Sequence, residues 1–152
     1  MAKRSKSQTE LTINQIKDEA FKQIIEIGFD NMSYTTLSQA TGISRTGISH
    51  HFPKKTDFLI KLDDRIAELF IGALDFSTIA TLETSWNKAF SESEAKAVLT
   101  LFFSISGNAN SSITHFQAIE NSVEQAKSQL GEEGERTIKF MIGCAAISLL
   151  SN

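Results

Sequence analysis

The sequence predicts an all-α protein in two parts: an N-terminal three-helix module and a short C-terminal helical bundle. Three observations carry this. Pro53 is the only proline in 152 residues, while Ala, Leu, Glu, Lys and Gln are plentiful, a composition that favours helix. Apolar residues recur at spacings of three and four, and β-type alternation is hard to find. Gly and Ser stand between the periodic stretches, where helix caps and turns need them.

Residues 1–9 are polar and basic and are expected to form a flexible arm. A first helix is predicted from about Leu11 to Ile27, because Ile16, Ala20, Ile24 and Ile27 share one face. Gly28 ends it. The second helix runs from Tyr34 to about Ala40 with Ser33 as its N-cap. Tyr34, Leu37 and Thr41 line its inner side. Thr41-Gly42-Ile43-Ser44 forms a tight turn, in which Gly42 supplies the left-handed conformation. Ser44 caps a short third helix, whose Ile48 and Phe52 face inward. Pro53 stops that helix, and the first domain is placed at residues 10–55.

The second domain, 56–152, opens on a long amphipathic helix near Thr56. Its stripe is Phe58, Leu62, Ile66, Leu69 and Ala73. Ile79, Leu82, Trp86 and Phe90 mark the next helix. Ser91-x-x-Glu94 has the form of a capping box, and opens a segment through Val98, Leu99, Leu101, Phe102, Phe103 and Ile105 that should be central. Asn108 to Ser112 reads as a loop. Phe116, Ile119, Val123, Ala126 and Leu130 then follow the spacing of a helix–helix seam. Gly131-Glu-Glu-Gly134 reads as a turn, and a last helix is expected over about Glu135 to Leu150.

The net charge of −3 hides an uneven distribution. Residues 1–61 carry nine Lys or Arg against six acids, and residues 62–152 carry six against twelve. A polyanion would be attracted to the first part and repelled by the second. Cys144 is the only cysteine, which excludes an intrachain disulfide and fits a reducing, cytoplasmic setting. The start Met-Ala-Lys-Arg-Ser-Lys has no apolar signal core behind it. The apolar run from Ile138 to Leu150 falls short of the roughly 20 residues a membrane span needs. No phosphate loop, dinucleotide fingerprint, nucleophile elbow or His-Glu-x-x-His is present, so no enzyme, cofactor or metal site is expected.

Residues 33–55 carry the functional signal. A short, capped helix with one apolar side can offer its other side to a DNA major groove about 12 Å wide. Arg45 suits guanine O6 and N7 or a phosphate, and Thr46 and Ser49 suit base edges. Gly47 allows close backbone approach. His50 and His51 can donate to phosphates, and Lys54 and Lys55 form an anion site with the start of the next helix. The cap residues Ser33 and Ser44 complete the candidate DNA-facing set. The two histidines point about 100° apart on a helix and do not readily chelate one ion.

The same segment resembles the TetR (AcrR-like) family of transcriptional regulators over about residues 10–65. The resemblance rests on Gly28-Phe29, Ser33-Tyr-Thr-Thr-Leu37 and Thr41-Gly42-Ile43-Ser44. Most specific is the run Gly47-Ile48-Ser49-His50-His51-Phe52-Pro53-Lys54-Lys55. It implies a homodimer with an N-terminal helix-turn-helix DNA-binding module and a pseudo-palindromic double-stranded DNA operator. It also implies a C-terminal domain that holds the dimer contacts and a pocket for a small apolar inducer. Residues matching Thr35, Arg45, Thr46, Gly47, Ser49, His50 and His51 face DNA in that family, and the position of Lys55 meets a phosphate. Two features depart from it. Ser49 stands where the family usually has Tyr, and the C-terminal part is shorter than usual.

Trp86, Phe90, Phe102, Phe103, His115, Phe116, Phe140 and Met141 either line an inducer cavity or fill the core; the sequence leaves both open. Cys144, amid Gly143, Ala145 and Ala146, reads as a small packing residue in a stretch that allows close helix approach. The expected function is a dimeric regulator, most simply a repressor released by an inducer. The alternative is a helix-turn-helix protein whose C-terminal helices serve only dimerisation or a protein partner.

Overall fold

The computed structural model describes residues 5–151, and every regular element among them is an α-helix. The chain forms two compact units, one ending at Leu62 and the other starting at Asp63. This division falls inside a helix, α4 (Thr56–Gly72), and not at the expected 55/56 boundary.

The first unit contains α1 (Lys6–Glu26), α2 (Tyr34–Thr41), α3 (Arg45–His51) and the start of α4 (Thr56–Gly72). Helix α1 begins five residues before the predicted start. Ser5 caps it: its Oγ accepts from the Gln8 N–H, and the Gln8 side chain accepts from the Ser5 N–H. This reciprocal box satisfies donors that would otherwise be orphaned. The expectation of a flexible arm therefore fails for Ser5 to Thr9; residues 1–4 lie outside the described residues. Ile16, Ala20 and Ile24 are buried as predicted, whereas Ile27 is 43% exposed beyond the helix end.

Helix α2 has Ser33 as N-cap in a second capping box, with Thr36. A buried polar link ties α1 to α2: Gln23 Nε2 donates to the Thr36 carbonyl at 3.2 Å, and Thr36 Oγ1 donates to Gln23 Oε1 at 2.6 Å. Leu37, Ile48, Phe52 and Phe58 complete the core.

The second unit holds the rest of α4, then α5 (Ile79–Ser91), α6 (Ser93–Ile105) and α7 (Gln117–Leu149); α5, α6 and α7 pack on one another. Ile66, Ala67 and Phe70 form the buried face of α4, while Ala73 is exposed past its end. The expected Ser91–Glu94 capping box does not form. Ser91 closes α5 and donates its hydroxyl to the Lys88 carbonyl at 2.6 Å, a local bond that competes with capping the next helix. Glu92 stands at the N-cap of α6 without a side-chain cap bond.

Helix α7 breaks at Gly131 (φ 70°, ψ −159°). Residues 126 and 134 would be about 12 Å apart along a straight helix. Here a Cβ on Gly134 would lie 2.5 Å from the Ala126 carbonyl oxygen, and Lys127 Nζ lies 3.5 Å from Glu135 Oε2. The chain therefore bends sharply, and one residue accomplishes the predicted four-residue turn. In the first arm the buried face is Ala118, Ser122 and Ala126, while Ile119, Val123 and Leu130 are half-buried. The inward face is thus turned from the predicted stripe, because small residues sit where the helices approach most closely. Among the described residues no helix is long and apolar enough to cross a membrane.

Candidate nucleic-acid interface

Helix α3 has only seven residues, so local bonds and neighbours must define it. The Gly47 N–H donates to Ser44 Oγ at 3.0 Å, capping its start. Gly42 takes φ 75° in the turn before it. Thr41 Oγ1 accepts from the Ile43 N–H at 3.2 Å and donates to the Leu37 carbonyl at 2.7 Å. Gln15 Nε2, from α1, donates to the Thr41 carbonyl at 3.2 Å.

The inner side of α3 is fixed by apolar packing. Ile48 is fully buried, and Phe52 stacks on Phe58 with centroids 4.5 Å apart. Tyr34 OH donates to the Phe52 carbonyl at 2.6 Å, satisfying a carbonyl at the helix end. Burial holds the Tyr34 hydroxyl above its usual pKa, and the nearby Asp57 charge adds to this.

What remains outward is the predicted DNA-facing set. Arg45, Thr46 and His50 are exposed, and Gly47, Ser49 and His51 are half-buried. Between Ser44 and Lys55 the sequence contains Arg45, Lys54 and Lys55 and no acid, so the local charge is positive. The His50 and His51 rings meet edge-on at 5.2 Å. Ser49 Oγ donates to the Thr46 carbonyl at 3.1 Å, which leaves its oxygen as an acceptor. Among the described residues no group of three metal-binding side chains gathers.

A groove of about 410 Å³ in the second unit is described below; the first unit has a larger one, about 680 Å³, lined by Thr9, Thr12, Gly42, Ile43, Ser44, Thr46, Gly47, His50 and His51. Five predicted residues therefore share one wall. Thr9 and Thr12 of α1 were missed in the sequence. The signal was the Ser5-x-x-Gln8 box, which extends α1 far enough to bring both threonines to the groove. Thr35 is exposed, whereas the Ser33 hydroxyl is engaged as a cap.

The two lysines differ. Lys54 is exposed, and its backbone N–H donates to Asp57 Oδ2 at 2.8 Å. The Lys55 ammonium lies 4.6 Å from the Phe29 ring centre and donates to the Asp30 carbonyl at 3.3 Å. Burial lowers the Lys55 pKa, and the Asp30 charge partly opposes this. Lys55 is held in place by its own unit, a cation–π contact included.

The eight candidate pocket residues do not come together. Trp86 is buried edge-on against Phe70 at 5.9 Å. Phe90 is half-buried, with the Lys96 ammonium over its ring at 5.9 Å. Phe102 touches Phe103 and stacks with Phe116 at 5.8 Å. Phe102, His115 and Phe116 share a groove of about 380 Å³ with the loop before α7. His115 is exposed, with Nδ1 3.1 Å from Glu120 Oε1. Phe140 and Met141 border a separate groove of about 410 Å³ with Glu83, Asn87, Glu133, Arg136 and Thr137. Phe140 is 72% exposed, so a place inside a shared cavity is not what the fold gives it.

At the N-terminus of α7, Asp63 Oδ1 accepts from the Gln117 N–H at 3.2 Å and Asp64 Oδ1 from Gln117 Nε2 at 2.7 Å. Burial raises the Asp63 pKa; the Gln117 bonds lower it, and the Asp64 and Glu120 charges raise it further.

Two family models match the chain. The one described as bacterial regulatory proteins, tetR family, covers residues 16–62. The one described as tetracycline repressor LuxT C-terminal domain covers residues 63–149. The junction between them coincides with the division between the two compact units. No curated protein matches the chain. With both units matched in order, the chain belongs to the TetR family of regulatory proteins.

Proposed function

We propose that this protein is a sequence-specific DNA-binding repressor that acts as a homodimer on a pseudo-palindromic operator. The observation that carries the reading is the outward face of α3: Arg45, Thr46, Gly47, Ser49, His50 and His51, on a capped helix locked from behind by Ile48 and Phe52. Two such helices would enter successive major grooves about 34–36 Å apart. Arg45, Thr46 and Ser49 set sequence preference; Lys54, Lys55, Lys6 and the histidines set affinity and its salt dependence. Lys3 and Arg4 belong to the same basic set and lie outside the described residues.

Release by a small apolar inducer would act by differential affinity for two dimer geometries. Five of the eight candidate pocket residues divide between two separate grooves and Trp86, Phe90 and Phe103 line neither of these, which favours the second reading for the C-terminal unit, a dimerisation or protein-partner role without ligand.

Selection of bound duplexes from a random pool tests the reading. It should enrich a palindromic site, and Arg45→Ala should cost about 1–3 kcal/mol on that site. Lys54→Ala should weaken all sequences alike and reduce the salt slope by about one. A pool with no enriched duplex would sink the proposal. A compound screen on the selected complex then separates the two C-terminal roles: a compound that releases the DNA supports the inducer reading.

A further inference from the structure

Ser49 sits in the middle of the outward face of α3. At about 100° per residue it projects between Arg45 and Thr46, one turn further along the helix. Those two are exposed and Ser49 is half-buried. Ser49 Oγ donates its one proton to the Thr46 carbonyl at 3.1 Å. A hydroxyl has a single donor and two acceptor lone pairs, so what Ser49 offers outward is an acceptor.

The rest of the face gives that acceptor its importance. Base amino groups, adenine N6 and cytosine N4, are commonly read by Asn, Gln, Asp or Glu, and residues 44–55 contain none of these. Arg45, Lys54 and Lys55 only donate. The imidazoles of His50 and His51 present a donor or an acceptor according to tautomer. Thr46 Oγ1 makes no hydrogen bond among the described residues, so its hydroxyl turns either way and does not by itself choose. On this face Ser49 alone is committed, by a bond of its own proton, to accepting.

We infer that Ser49 reads the polarity of one operator base pair, accepting a hydrogen bond from an exocyclic amino group and so admitting adenine or cytosine on the strand it meets. Thymine and guanine present O4 and O6 there, which sets acceptor against acceptor and leaves both without a donor. The resulting preference is twofold degenerate, amino over carbonyl, and does not separate adenine from cytosine. Four residues advance about 6 Å along a helix and successive base pairs about 3.4 Å. The position therefore lies one or two base pairs from the one that Arg45 reads. This deepens the DNA-binding reading proposed above and rests on it.

The duplex selected from the random pool is the probe, with the full chain. Single-base variants of it, titrated with wild type and Ser49→Ala, should locate a position where the wild type takes adenine and cytosine alike and Ser49→Ala takes any base. At that position the amino group is then deleted, by purine in place of adenine or 2-pyrimidinone in place of cytosine. The wild type should lose about fivefold in affinity on the deleted duplex. Ser49→Ala should bind the natural and deleted duplexes alike, about fivefold more weakly than wild type binds the natural one. Base preferences elsewhere in the site should be the same in both proteins. Ser49→Thr, which keeps a hydroxyl within reach of the same carbonyl, should restore the preference; a packing role alone would move none of these base-specific readouts. Circular dichroism checks folding, and where Ser49→Ala fails to fold, Ser49→Cys, with only a weak acceptor, decides. A base profile that Ser49→Ala leaves intact overturns the inference while the DNA reading stands. An amino deletion that costs both proteins the same does so too. Coupling of the hydroxyl to guanine O6, read with 2-aminopurine in place of guanine, overturns the acceptor role. A pool with no enriched duplex sinks the DNA reading itself, and this inference with it.

Discussion

Gly134→Ala probes the sharp bend in α7. The added Cβ would lie 2.4 Å from Leu130 Cβ and 2.5 Å from the Ala126 carbonyl oxygen. Real contacts of this kind sit at about 3.4 Å or more, so the two arms must part by roughly 0.9 Å. The obstacle is partly backbone, which no rotamer change relieves. Gly134 is buried, and its neighbour Glu135 bonds both Lys127 and Lys139 across and along the bend. Overpacking of this kind costs about 1–3 kcal/mol, which outweighs the ~1 kcal/mol gained in helix propensity. Trp86 is the only tryptophan and is buried in the same unit, so its fluorescence reports the unfolding. With a urea slope of about 2 kcal/mol/M, a net loss near 1 kcal/mol lowers the midpoint by about 0.5 M. Gly72→Ala, where a Cβ meets nothing within 4 Å, is the control and should leave the midpoint almost unchanged. A wild-type midpoint for Gly134→Ala would mean that the arms do not approach at this residue.

Three further outcomes follow from the same contacts. Ser44→Ala removes the one side-chain cap of α3 and should cost about 1 kcal/mol of stability in the first unit; unchanged urea unfolding of that unit would count against the cap. Gln23→Leu leaves the half-buried Thr36 carbonyl without its side-chain donor and should cost about 1–3 kcal/mol by the same measurement, with Gln23→Glu no substitute because it offers no amide donor. Asp63→Asn keeps an oxygen acceptor for the Gln117 N–H and removes a half-buried charge beside Asp64 and Glu120. The folded-state pKa of Asp63 is raised, so the native state binds more protons there than the unfolded chain, and this group's contribution to stability falls as pH rises through the raised value. The variant should therefore be more stable than wild type at about pH 7, with the advantage shrinking towards about pH 4; an equal offset at both pH values would contradict this.

Helix α3, proposed to face DNA, was legible because its requirements are local. Ser33 and Ser44 cap, Gly42 turns and Ile48 and Phe52 anchor, each at a spacing set by helix geometry alone. The start of α1 was equally local, and was misread because Lys6, Ser7 and Gln8 look like a solvated arm unless Ser5 and Gln8 are paired as a box. The Ser91 box failed for the converse reason, since a serine between two helices can bond to either and here serves the first.

The sequence by itself determined the all-α class, the helix-turn-helix, the uneven charge and the family, because periodicity, caps and turns are written within a few residues of one another. Only the tertiary structure decided which apolar residues became core. Trp86 and Phe116 went inside, Phe140 went outside, and five of the candidate pocket residues divided between two grooves. It also decided that α7 bends at Gly131 closely enough for Gly134 to touch Ala126. Helical spacing names a face but not what covers it, and that depends on contacts between residues far apart in the chain.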